Sequence, residues 1–161
     1  MPDFVINTGP LIALSVAVGR LDFLDQLYRD IRVPKEVFQE LQAGGAQCPE
    51  IQMISQVKCM TVATNEILVP NYLKAELDLG EGRVIQTAIV QKIPLVVIDE
   101  KQGRCIARLH GLCITGSLGI LVKAAKKGLT GDLGVCFDRM KAHGIWIAQS
   151  LKDLALRDVQ N

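Results

Sequence analysis

Leu95-Val96-Val97-Ile98 is an uninterrupted apolar run that stops at Asp99. A strand apolar on both faces must be covered on both faces. That is the condition of a parallel strand inside a helix-flanked sheet, not of an antiparallel strand with one face in water. The rest of the chain supplies such cover. Phe4-Val5-Ile6 is β-prone and leads through Asn7-Thr8-Gly9 into Pro10, Leu11, Ile12, Leu14, Ser15 and Val18 at helical spacing, with Pro10 near the first turn. Further strands are expected at Ile31-Arg32-Val33, Cys59 to Ala63, Leu112-Cys113-Ile114 and Ile145-Trp146-Ile147. Helices are expected after Pro34, Pro49, Gly80 and Asp99, over Leu118 to Lys127, over Leu133 to Ala142, and from a Ser150 cap. Residues 64 to 79 show only a loop and a helical turn. Strands alternating with helices predict a three-layer α/β/α sandwich with a central, mostly parallel sheet, in one domain over residues 1–161.

An apolar fraction of 49% excludes a disordered chain. A formal net charge of +1 excludes strong attraction of the whole molecule to nucleic acid, so any basic surface must be local. Cys48, Cys59, Cys105, Cys113 and Cys136 form no Cys-x-x-Cys pair. They are expected to be reduced and mostly buried, as in a cytoplasmic protein. No apolar run reaches the length of a membrane span, and no basic segment precedes an apolar one at the N-terminus, so neither membrane insertion nor a secretory signal is expected.

Polar residues at the carboxyl ends of parallel strands stand where open α/β sheets place their ligands. Right-handed crossovers bring Asn7, Asp99 and Thr115 to one such edge. Glu81, in the first turn of a helix, and Glu40, on an early helix, can reach the same place. Carboxylates crowded at one point repel unless a cation joins them, and an oxygen-rich set suits magnesium or manganese. Each residue also has a plainer reading. Asn7 can bond its own turn, Asp99 can cap the helix from Glu100, and Glu81 can complement a helix dipole. Glu40 can simply be solvated, and Thr115-Gly116-Ser117 can be a capping turn.

Ile6-Asn7-Thr8-Gly9-Pro10-Leu11-Ile12, Val33-Pro34-Lys35-Glu36-Val37 with Glu40-Leu41, Leu79-Gly80-Glu81-Gly82, Val97-Ile98-Asp99-Glu100-Lys101 and Ile114-Thr115-Gly116-Ser117-Leu118-Gly119 together resemble the PIN-domain family of metal-dependent nucleases. The likeness covers nearly the whole chain. It is nearest to the prokaryotic branch of short, single-domain proteins related to VapC-type toxin ribonucleases. The resemblance implies a hydrolase that cuts RNA with Mg2+ or Mn2+ and leaves a phosphate on the 5′ side. It places the metal-binding and catalytic residues at Asn7, Glu40, Glu81 and Asp99, with supporting hydroxyls at Thr8 and Ser117. It also implies a homodimer and a partner antitoxin. The family usually carries Asp where this chain has Asn7, which predicts weaker metal binding. Asp3 cannot replace that acid, being about 13 Å away along the strand. Glu100, directly after Asp99, is expected to point elsewhere.

Lys101 and Arg104 follow Asp99 closely enough to contact phosphate, or to form a solvated helix face. Lys123, Lys126 and Lys127 read as a helix end, His110 and His143 as C-terminal caps, and Trp146 as core or interface. Two other readings follow: a non-cleaving PIN-fold protein that binds nucleic acid or a partner, motivated by Asn7, and a nucleotide-binding domain holding phosphate at Thr115-Gly116-Ser117.

Overall fold

The protein is described by a computed structural model covering residues 1–45 and 48–161. Its sheet has the order β3-β2-β1-β4-β5, every neighbouring pair parallel, with β1 Asp3–Ile6, β2 Asp30–Val33, β3 Met60–Val62, β4 Leu95–Val97 and β5 Cys113–Thr115. The helices are α1 Thr8–Val18, α2 Lys35–Ala43, α3 Pro49–Gln56, α4 Asn71–Glu76, α5 Leu79–Gln91, α6 Lys101–Leu109, α7 Ser117–Lys126, α8 Leu133–Ala142 and α9 Gln149–Gln160, with a 3-10 turn over Asp22–Gln26.

β1, not β4, is the central strand. Phe4, Val5 and Ile6 are fully buried, and each such side chain contributes about 2 kcal/mol. The chain first steps outward from β1 through β2 to β3, then returns to the other side of β1 for β4 and β5. Because crossovers are right-handed, the reversal puts α4, α5 and α6 on one face and α1 to α3 on the other. Helices α7, α8 and α9 complete the second layer, α7 and α8 packing on α1 and α9 on α7. The three-layer expectation therefore holds, with a sheet that is wholly parallel.

Local punctuation follows the sequence. Gly19 ends α1 at φ 79°, where its N–H reaches the carbonyl of Ser15. Pro34 and Pro49 start α2 and α3. The last helix begins at Gln149 after Ala148, so Ser150 lies in its first turn and does not cap it.

Two expectations are corrected. Among the described residues, Ile145-Trp146-Ile147 pairs with no strand, and Trp146 is 83% exposed, so it is not core. The cysteines are free as expected, but Cys105 and Cys113 are exposed. Burial pushes the Cys59 thiol up to about 12, with the Asp25 carboxylate adding to it. Among the described residues, no helix is long and apolar enough to cross a membrane.

Candidate functional site

The reversal in strand order falls between β1 and β4, so a crevice opens outside their carboxyl ends. The ladder continues past both strands: Asn7 N–H donates to the Val97 carbonyl at 3.1 Å, and Ile98 N–H to that of Thr115 at 3.1 Å. Asn7 and Asp99 therefore flank the crevice on adjacent strands.

Asn7 sits at the N-cap of α1, yet its side chain caps nothing. It is 7% exposed, and its Oδ1 is buried without a hydrogen-bond partner. The reading in which Asn7 serves only its own turn is thereby set aside. Glu40 arrives from α2 and accepts a hydrogen bond from Thr8 Oγ1 at 2.6 Å. A Cβ placed on Gly80 would stand 2.8 Å from Glu40 Oε1, 3.1 Å from Asn7 Oδ1 and 3.4 Å from Asp78 Oδ1. Three elements thus aim oxygens at one small space, which only a residue without a side chain leaves open.

Asp78 caps α5 by accepting from the Glu81 N–H at 2.7 Å. Glu81 is 5% exposed and turns inward, its Oε1 buried without a donor. Burial raises its pKa, and the charges of Asp78 and Glu100 raise it further. Gly103, on α6, leaves the room this carboxylate occupies: a Cβ there would lie 2.7 Å from Glu81 Oε1.

Asp99 does not cap α6, whose N-cap position is Glu100. It crosses instead to α7, accepting from Ser117 N–H and Ser117 Oγ, both at 2.8 Å. That N–H is the donor a phosphate at Thr115-Gly116-Ser117 would use, so the nucleotide-binding reading loses its anion site. Arg104 Nη1 donates to the Ile98 carbonyl at 2.9 Å, beside Asp99, while Lys101 is exposed.

The structure thus brings Asn7, Thr8, Glu40 and Asp78 together, puts Glu81 next to them, and sets Asp99 with Ser117 across the crevice. Among the described residues, no three His, Cys, Asp or Glu side chains stand close enough to ligate one ion together. Glu40 divides its oxygens between the Thr8 hydroxyl and the space beside Gly80, whereas both oxygens of Asp99 are taken by Ser117.

Sequence reasoning gave no role to three groups. Asp78, three residues before Glu81, carries the ordinary signal of a helix N-cap. Glu100 lines the same cleft as Asp99, and its charge adds to the raised pKa of Glu81. Glu36, one turn before Glu40, is buried against Arg83 of α5, Oε1 to Nε 3.4 Å. His110 and His143 end α6 and α8 as expected, and Lys126 pairs with Asp158 at 2.6 Å. Lys123 instead lies over the Tyr28 ring at 4.3 Å.

An all-parallel α/β/α sandwich with an acid-lined crevice at its switch point defines a class of ligand-handling proteins, not yet a family. Residues 3–161 match the PIN domain family (DUF3368), and the chain belongs to it. No curated protein matches the chain. The fold is of the nuclease type, and PIN domains generally use divalent metals. The residues present fit such an ion. All the donors are oxygens, as hard cations prefer. Asn7 Oδ1 and Glu81 Oε1 are buried acceptors with no donor, an arrangement worth about 1–3 kcal/mol each until something positive faces them.

Proposed function

We propose that the chain is an Mg2+- or Mn2+-dependent endoribonuclease. The observation that supports it most is the pair of orphaned buried oxygens, Asn7 Oδ1 beside Gly80 and Glu81 Oε1 against Gly103. Glu40, Glu81, Asp99 and the Asn7 amide would hold the ion. When bound, it supplies Lewis-acid stabilisation of a phosphoryl transition state and a more acidic water. Thr8 fixes the rotamer of Glu40, and Ser117 fixes that of Asp99, through hydrogen bonds of 2.6 and 2.8 Å. Lys101 and Arg104 contact the RNA backbone beside Asp99. Cleavage leaves the phosphate on the 5′ side of the product. A homodimer and an antitoxin that blocks the crevice complete this reading as a toxin ribonuclease.

Manganese-dependent cleavage of single-stranded RNA by the pure protein is the test. Glu40→Gln and Asp99→Asn should each abolish it. Cleavage that survives both changes belongs to a contaminant, and the reading fails.

Asn7 favours a second reading, a PIN-fold protein that binds RNA or a protein without cutting. The amide brings an oxygen but no charge, and no three acids converge among the described residues. Asn7→Asp discriminates. If the wild type is inert, the change should create manganese-dependent cleavage. If the wild type cuts, it should tighten manganese binding in calorimetry by about tenfold, the usual weight of a ligand's immediate surroundings. Robust cleavage unimproved by the change argues against the binding-only reading.

A further inference from the structure

Trp146 is the single tryptophan of the chain, and it is 83% exposed. It lies in the extended segment between α8 and α9. Ile145 and Ile147 on either side are partly buried and pack on the core, which anchors the segment while the indole faces out. A large aromatic fixed in this way shows a flat apolar face to solvent without the mobility of a loop tip.

The indole borders a cleft of about 500 Å³ whose wall runs through Gly9 and Leu118 to Ser117, Asp99 and Glu100. One end of that cleft is therefore the edge beside Asp99 where the RNA backbone is proposed to lie. Among the described residues, no lysine or arginine lines it. A phosphate finds no partner there, whereas a flat neutral ring finds an aromatic face and an aliphatic floor. The volume fits a small planar group better than a helix of a partner protein. The cleft that runs from Asp99 to Trp146 is the wall along which such a strand would lay a neighbouring nucleoside.

We propose that Trp146 and the cleft beside it form a stacking subsite for an unpaired nucleobase of single-stranded RNA. The proposal rests on the RNA reading of the crevice. Stacking on an aromatic side chain tolerates any base but requires it unstacked, so double-stranded RNA should not engage the site.

Because Trp146 is the only indole, its fluorescence reports this site alone. Wild-type protein is titrated with single-stranded oligoadenylate in calcium, a hard cation that takes the same oxygens. Binding is followed in parallel by the anisotropy of labelled RNA. Saturable quenching is expected, and duplex RNA should give none. Trp146→Ala should weaken binding about tenfold or more, while Trp146→Phe keeps most of it. With 83% of the residue in solvent, neither change threatens the fold.

RNA binding without quenching, or with unchanged affinity in Trp146→Ala, overturns the subsite, and so does the absence of any RNA binding. Loss of a dimer in Trp146→Ala with RNA affinity intact assigns the face to a second copy of the chain and overturns it too. Quenching and Trp146 dependence without cleavage in manganese leave the subsite standing and fail the nuclease reading alone.

Discussion

Gly80 shows what a single residue decides at this site. It lies in the first turn of α5, where alanine is favoured over glycine by up to about 1 kcal/mol. Yet a Cβ there would meet Glu40 Oε1 at 2.8 Å and Asn7 Oδ1 at 3.1 Å. Glu40 is exposed and held by a single side-chain hydrogen bond, from Thr8, so breaking that one bond lets it move aside, and the fold survives while the oxygen set is spread. Gly80→Ala should leave the thermal midpoint of the metal-free protein unchanged or raised. It should weaken manganese binding about tenfold, as displacement of supporting groups does elsewhere. Calorimetry beside a thermal melt separates the two effects. Unchanged affinity would show that the ion binds away from Gly80. The sequence named Asn7, Glu40, Glu81 and Asp99 because residue types at strand and helix ends are readable. The glycine that lets the Asn7 and Glu40 oxygens share one space was not readable, since its role exists only where α2, α5 and β1 meet.

Between elements, two contacts carry predictions. Glu36 and Arg83 join α2 to α5, with side chains 10% and 12% exposed. They are near in charge but not aligned for a hydrogen bond, because Arg83 Nε and Glu36 Oε1 both lack one. Removing one partner strands a buried charge, so Arg83→Met should lose about 3 kcal/mol in urea unfolding. Arg83→Met with Glu36→Leu should recover most of that loss, a result a simple stabilising bridge would not give. Asp25 ties the 3-10 turn to β3, accepting from Cys59 N–H at 2.8 Å and Lys58 N–H at 3.2 Å. Burial alone would raise its pKa, but the donors of Cys59 and Lys58, together with the Lys58 charge, outweigh it and hold the pKa low. A depressed folded pKa gives stability that is present above the unfolded value and lost as pH falls through the folded one. Asp25→Asn should therefore flatten the decline of the thermal midpoint between about pH 5 and pH 2. The limits of sequence reading also lie at this scale. Ile145-Trp146-Ile147 has a true period-two pattern, inward, outward, inward. Alternation reports an extended chain over a core and not a hydrogen-bonded ladder, and this segment lies against no free strand. α4 was hard to see for the opposite reason. Val69, Leu73 and Leu77 keep helical spacing, but the helix between them spans only Asn71–Glu76.

Over the whole molecule, charge is what separates this fold's demands from those of an ordinary RNA-binding protein. The net charge is +1, and several acids stand at this end of the sheet: Glu40 and Asp78 beside Gly80, Glu81 against Gly103, and Asp99 and Glu100 along the neighbouring cleft. An RNA backbone approaching that edge would meet repulsion, which a divalent ion, or Lys101 and Arg104, would relieve. Arg104 is already tied to the Ile98 carbonyl, which fixes its position beside Asp99 without removing its charge. Two phosphate contacts at most follow from this arrangement. For single strands each neutralised phosphate contributes about −0.7 to the slope of log affinity against log salt, so about −1.4 is expected in divalent metal. Lys101→Ala with Arg104→Ala should bring the slope near zero, while Trp146→Ala lowers affinity at every salt concentration and leaves the slope alone. Anisotropy titrations across a monovalent salt series measure both. A slope several times steeper, unmoved by the double change, would mean that RNA lies on a basic face elsewhere and that the crevice at β1 and β4 is not where it binds.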